Sequence, residues 1–486
     1  MDAATLALNL EKALRKIPLL DAHTHLDSSH LTSRGLHDIL LYHMVVSDLV
    51  SAGCPDRERL PEQPSDGEAR SRIERALPYL PGIANTSCSW GIRIILEDLY
   101  GWKQPVTAAN WSKLDGLIRE RAKDPSWPRT IQRKAGIARS CTELWRRREG
   151  EADDILQYSL EWAFFARTQW GEFDTALFEL EKAWSEGTPG APSPVARAAA
   201  RPEPARRIRS VADVNVALDA YVDAIPSGIL STAQHISTDI EYREVDERAM
   251  ARALRRRGRA GREERDIYAS YILEGFFRRL EQRRSGVVFH FSLGAEPLPF
   301  ETSSRLDQAT IARLAGMVAR HPGIRFQCFL ASAHANQALC TLARELPNFS
   351  LAGYWWHNFF PSFIERIMNE RLDMLSTAKQ IGFFSDAYTL EWSYAKAVIV
   401  RKSLARVLAA RVAEGRYDRK TAERIARELF FETPQELLGM EPAVSQLRST
   451  HDGGLSGTRR GGVREAASTE SSPPKVKPQA RTARRR

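Results

Sequence analysis

A chain of 486 residues with 43% apolar and 9% aromatic content can bury a large core, and suits a large barrel or two lobes better than one small domain. Its formal charge of +9 is concentrated in residues 451–486, where nine Lys/Arg against three Asp/Glu give +6 and leave +3 on the preceding 450 residues, so the charge is no argument for nucleic acid. There is no apolar run of the roughly 18 residues that a membrane span needs, and five cysteines without a CxxC pair argue against a disulfide framework or zinc ribbon and for a reducing, cytoplasmic setting.

Residues 1–60 open on an amphipathic helix without the marks of a secretion signal. "IPLLDAHTHLDSSH" (17–30) follows, whose apolar run reads as a short buried strand. Successive strand side chains alternate between faces, so His23 and His25 share one, and two imidazoles at a strand end could grip one cation. The next helical stretch stops at Gly53-Cys54-Pro55.

Residues 61–207 read as an inserted helical subdomain, almost all helix over 68–184 and closed by a Pro/Gly/Ala-rich linker over 185–207. Over 208–445 strand and helix alternate. Strands are expected at 228–237, 285–296, 324–332, 349–358 and 381–388, with a very basic helix over 245–282. That succession argues for a parallel α/β structure, and a (β/α)8 TIM-type barrel fits the length and the placement of polar residues at strand ends. The tail 446–486, rich in Gly, Ser, Pro and Arg, is expected to be disordered, solubilising and at most a weak contact for polyanions.

Three more groups end strands of this barrel. His290 stands in "VVFHFSLG", His334 follows the next strand by a short turn, and Asp386 ends the apolar run "GFFSDAY". A carboxylate there is costly unless it is paired or ligates a metal. Each alone is as well explained by a structural role. Together with His23 and His25 they form the donor set that Zn²⁺ or Mn²⁺ takes. Trp355 is a core residue by default, whereas Trp356, His357 and Asn358 could wall a pocket for a polar substrate. His235 reads as a polar strand end and Asp27 to His30 as a turn. The Arg-rich helix reads as a solvated face.

On these residues the chain resembles the amidohydrolase superfamily, and within it the uronate isomerase branch. The resemblance rests on His23-Thr24-His25, on Trp355, Trp356 and Asn358 of "GYWWHNFF", on Gly382 and Asp386 of "IGFFSDAY", and on the closing "RIARELFFETPQELLGM". It implies a barrel with one divalent metal held by His23, His25 and Asp386. It also implies aldose–ketose isomerisation of a sugar acid such as D-glucuronate, in which Asp386 would also move a proton. An early motif of that family keeps His43 here but has Ser47 where Arg is expected. Tyr388 replaces an Arg two residues after the metal Asp, Phe359 replaces an Asp, and Ser292 replaces a His, with His290 two residues earlier on the same face.

The resulting expectation is a metal-dependent isomerase of carbohydrate metabolism. Asp386, His43 and His290 are the catalytic candidates, and His23, His25, Asp386 and His334 the metal ligands. Trp356, His357, Asn358 and Tyr388 would touch a small sugar acid. A hydrolase that uses a metal-activated water on an amide, ester or lactone is the alternative, and a non-catalytic interaction protein the second. A homo-oligomer stays open. Whether Arg34 or Arg93 reaches the barrel mouth discriminates the first two readings.

Overall fold

Eight short parallel strands lie side by side in sequence order. In the computed structural model they are β1 (Leu19–Asp21), β2 (Ile137–Glu143), β3 (Leu156–Glu161), β4 (Ser231–His235), β5 (Val288–Leu293), β6 (Arg325–Leu330), β7 (Phe349–Ala352) and β8 (Gln380–Ile381). The structure describes residues 2–440 apart from 58–59, 62, 148–153, 162–172, 188–204, 230, 236–240, 285, 295–305, 307 and 355–357. Trp355, Trp356, His357 and the tail 446–486 therefore lie outside the described residues.

The ring closes beyond the ends of its first and last strands. The Asp386 N–H donates to the His23 carbonyl and the His25 N–H to the Ala387 carbonyl, both at 2.9 Å. This is the (β/α)8 fold expected from the strand–helix alternation. The helices Gln308–Arg320, Asn336–Glu345 and Pro361–Met374 separate β5, β6, β7 and β8 in turn.

Period-two alternation sets the interior. Val288 joins Leu20, Ala138, Phe329, Ala352, Ile381, Leu438 and Met440 in one buried cluster, while Phe289 and Phe291 belong to the larger cluster shared with the helices. His290, two residues after Val288, thus shares the interior face.

The structure differs from the sequence reading over 68–184. Six helices do follow β1, the last Trp127–Ala135, but β2 and β3 come next and are barrel strands. Strand β2 offers the polar Ser140, Thr142 and Glu143 where an apolar run was the signal sought. In β3 the buried Leu156, Tyr158 and Leu160 alternate with polar residues, a period-two pattern set between helical neighbours.

Helix Leu390–Ala413 is buried on nearly every face and packs against helices Ala3–Leu14, Ser87–Tyr100, Trp127–Ala135 and Pro361–Met374. Its Arg401 donates to the carbonyls of Ala135 and Ile17, at 2.5 and 3.0 Å, which fixes the approach to β1. Among the described residues no helix is long and apolar enough to cross a membrane.

Candidate metal centre

The C-terminal ends of β1, β2 and β8 converge. Thr24 is buried and holds the extension of β1 to β2, its N–H and its Oγ1 both donating to the Cys141 carbonyl at 2.7 and 3.1 Å. With Thr24 tied to β2, His23 and His25 project together on the opposite side of the chain. His23 Nε2 lies 3.5 Å, and His25 Nε2 3.2 Å, from Asp386 Oδ1. On its other edge His25 Nδ1 lies 2.5 Å from Glu143 Oε1. Glu143 Oε2 in turn accepts from Arg146 Nε at 2.8 Å.

The donor set suits a small divalent ion. Ligands about 2.1 Å from a tetrahedral centre lie roughly 3.4 Å apart, close to the two distances at Asp386 Oδ1. Glu143 is also in range, since His23, His25 and Glu143 offer ligand atoms all within 4.8 Å of one another. The two carboxylates are not equivalent. Asp386 Oδ1 is shared by both Nε2 atoms, whereas Glu143 faces Nδ1 and is already committed to Arg146. A ligating histidine usually donates its second N–H to a carboxylate that orients it. Glu143 fits that outer role and Asp386 the inner one.

Electrostatics agree with a site built for positive charge. Burial opposes ionisation of His25, but Glu143 and Asp386 outweigh it and hold the imidazolium well above the ordinary histidine range. Burial likewise works against both carboxylates. Nevertheless His25, with Arg146 for Glu143 and with Lys396 for Asp386, keeps them well below the usual range. His290 behaves oppositely. Burial, with His23 acting in the same direction, lowers it to about 3, so it is neutral at physiological pH. Among the described residues its buried Nε2 has no hydrogen-bond partner, and its ring packs T-shaped with Phe329, which also packs on His23.

Beside the histidines is a cavity of about 220 Å³ lined by His25, His30, Arg34, His43, Arg146 and Tyr388 among others. Tyr388 stacks on His25 with ring centroids 4.8 Å apart and meets the His43 ring at 5.6 Å. Arg34 does reach the cavity, but its fork is spent on Asp38, Nε and Nη2 donating at 3.0 and 2.9 Å. Arg93 is exposed on helix Ser87–Tyr100. Among the described residues neither amide atom of the buried Asn358 is partnered, while His334 is exposed on the turn after β6 and is not among the residues of the candidate cluster His23, His25 and Glu143. Sequence reasoning missed Glu143 and Arg146. The signal that singled out Asp386, a carboxylate ending an apolar run, is missing from β2, which reads IARSCTE.

No protein family and no curated protein matches the chain by sequence. Solved structures do. Uronate isomerase from Thermotoga maritima superposes with a TM-score of 0.71 at 13% identity, over 89% of this chain and 97% of that one. Glucuronate isomerase from Caulobacter crescentus gives 0.72 at 14%, over 91% and 97%. Uronate isomerase from Bacillus halodurans C-125 gives 0.65 at 16%, over 92% and 99%. The shared property is the fold. The likeness spans the barrel and its inserted helices, so the site described above occupies the C-terminal mouth of a barrel built like theirs.

Proposed function

We propose that the chain is a divalent-metal-dependent aldose–ketose isomerase acting on a sugar acid of the D-glucuronate or D-galacturonate type. The observation that carries this reading is the convergence of His23 and His25 Nε2 on Asp386 Oδ1 at the mouth of this barrel. His23, His25 and Asp386 would hold one Zn²⁺ or Mn²⁺, with Glu143 orienting His25 and the unpartnered His290 in reserve. Once bound, such an ion supplies Lewis acidity at the sugar carbonyl and its neighbouring hydroxyl.

The chain's own residues then have to move two protons. Conversion of an aldose to a ketose takes one from C2 to C1 and one from O2 to O1. Asp386, held ionised by its neighbours, accepts the hydroxyl proton and returns it to the other oxygen. His43 lies on the cavity wall beside Tyr388 and on this reading carries the carbon-bound proton. Tyr388 and Arg34 line the space that a six-carbon substrate would fill.

Incubation of the Zn²⁺- or Mn²⁺-loaded protein with each uronate in D₂O, followed by NMR, should yield the ketose. No ketose from a protein with metal bound would sink the isomerase reading. His43→Asn should lower kcat by about 10²-fold or more while metal content stays at the wild-type level.

A second reading has its own observation. The Arg34 fork is taken by Asp38, and Tyr388 stands where the resemblance expects a carboxylate-gripping Arg. A neutral lactone, ester or amide would need no such grip, and Asp386 would then accept a proton from water. Turnover of a lactone and not of a uronate would decide for the hydrolase.

A further inference from the structure

Asp386 is, among the described residues, the non-glycine residue with positive φ, at 52°. An L-residue persists there only when its surroundings over-determine it. The peptide around it is held from behind by helix Leu390–Ala413. Lys396, 1% exposed, donates from Nζ to the Ser385 carbonyl at 2.5 Å, to the Asp386 carbonyl at 3.2 Å and to the Tyr42 hydroxyl at 3.0 Å. The Tyr42 hydroxyl then donates to the Asp386 carbonyl at 2.8 Å.

Two of the ammonium bonds go to carbonyls of this turn and the third to the Tyr42 hydroxyl that bonds it, and the charge lies 4.4 Å from the Phe359 ring centroid and 5.1 Å from that of Tyr42. A buried ammonium is costly, and neutral donors could brace a turn for less. The expense falls on the one peptide whose side chain faces both imidazoles.

We infer that Lys396 and Tyr42 are positioning residues that lock Asp386 in its left-handed conformation and thereby aim its carboxylate at His23 and His25. The inference rests on the metal-site reading above, and its test separates the two. Both bond the Asp386 carbonyl. They hold the backbone of the third ligand, as outer partners hold ligating side chains.

The test is Co²⁺ binding to the full chain, read by calorimetry and by the visible ligand-field spectrum, for wild type, His23→Ala, Tyr42→Phe and Lys396→Met. Wild type should bind one equivalent and His23→Ala should not. Tyr42→Phe and Lys396→Met should weaken binding by about tenfold or more and alter the ligand-field bands, while circular dichroism stays native. A merely structural brace would lower the melting temperature and leave the spectrum of the bound ion unchanged. Should Lys396→Met fail to fold, Tyr42→Phe, which removes one oxygen, decides. Wild-type affinity and superimposable spectra in the folded variants would overturn the inference and leave the site standing. No binding by wild type, or undiminished binding by His23→Ala, would overturn the site itself.

Discussion

His25 stands between two carboxylates, and the nitrogen each one faces decides its role. With Asp386 at Nε2 and Glu143 at Nδ1, removing the Glu143 charge leaves the inner donors in place but frees the ring to turn. Glu143→Gln should therefore weaken Zn²⁺ binding by about 10–100-fold without abolishing it, as titration calorimetry would show. Unchanged affinity would remove Glu143 from the site. His23, His25 and Asp386 were legible because polar groups closing apolar strands are expensive and few. Lys396 was not. A lysine on a helix reads as solvent-facing, and its burial follows only from helices packing on every side of its own.

Between elements, two joints can be tested apart from catalysis. Gly353, just past β7, has φ +49, and a Cβ there would collide with the ring of Phe384, which packs under His23. Its carbonyl also accepts from the buried Arg371 at 2.9 Å. Gly353→Ala combines left-handed strain with overpacking and should cost about 2–4 kcal/mol in denaturant unfolding. The second joint ties helix Arg262–Arg283 to the turn before β6. His321 lies between Glu274 and Glu281, with Nε2 2.8 Å from one and Nδ1 3.0 Å from the other. Burial opposes its charge, but both carboxylates raise its pKa above the ordinary 6.5. Stabilisation from this histidine is therefore full below the unfolded pKa and is lost as pH rises through the folded one. His321→Gln should lower the urea midpoint more at pH 6 than at pH 9, and an equal loss at both would discard the ion pairs. The alternation of β5 to β8 with helices could be read from sequence because their apolar runs are separated by clear helical periods. Strands β2 and β3 could not, because β2 carries Ser140, Thr142 and Glu143 in place of an apolar run and β3 is a period-two pattern set between helical neighbours.

For the whole molecule, most of the net charge belongs to the tail and the candidate metal centre to the barrel. Deleting residues 451–486 should leave metal content and the proposed activity at wild-type values, and a large loss would give the tail a part in that activity. The barrel class followed from the sequence because a dozen alternating elements leave few arrangements with right-handed parallel connections. The pocket did not follow, because its walls come from segments hundreds of positions apart. That separation matters while the protein is being made. The bonds that join His23 to Asp386 and His25 to Ala387 are also the seam of the ring. A ribosome must therefore add about 360 residues after His25 before the two imidazoles meet the Asp386 carboxylate. On the proposed reading a nascent or prematurely ended chain lacks the carboxylate that both imidazoles share, so full-affinity metal uptake would mark the moment at which synthesis has run past residue 387 and the ring has shut.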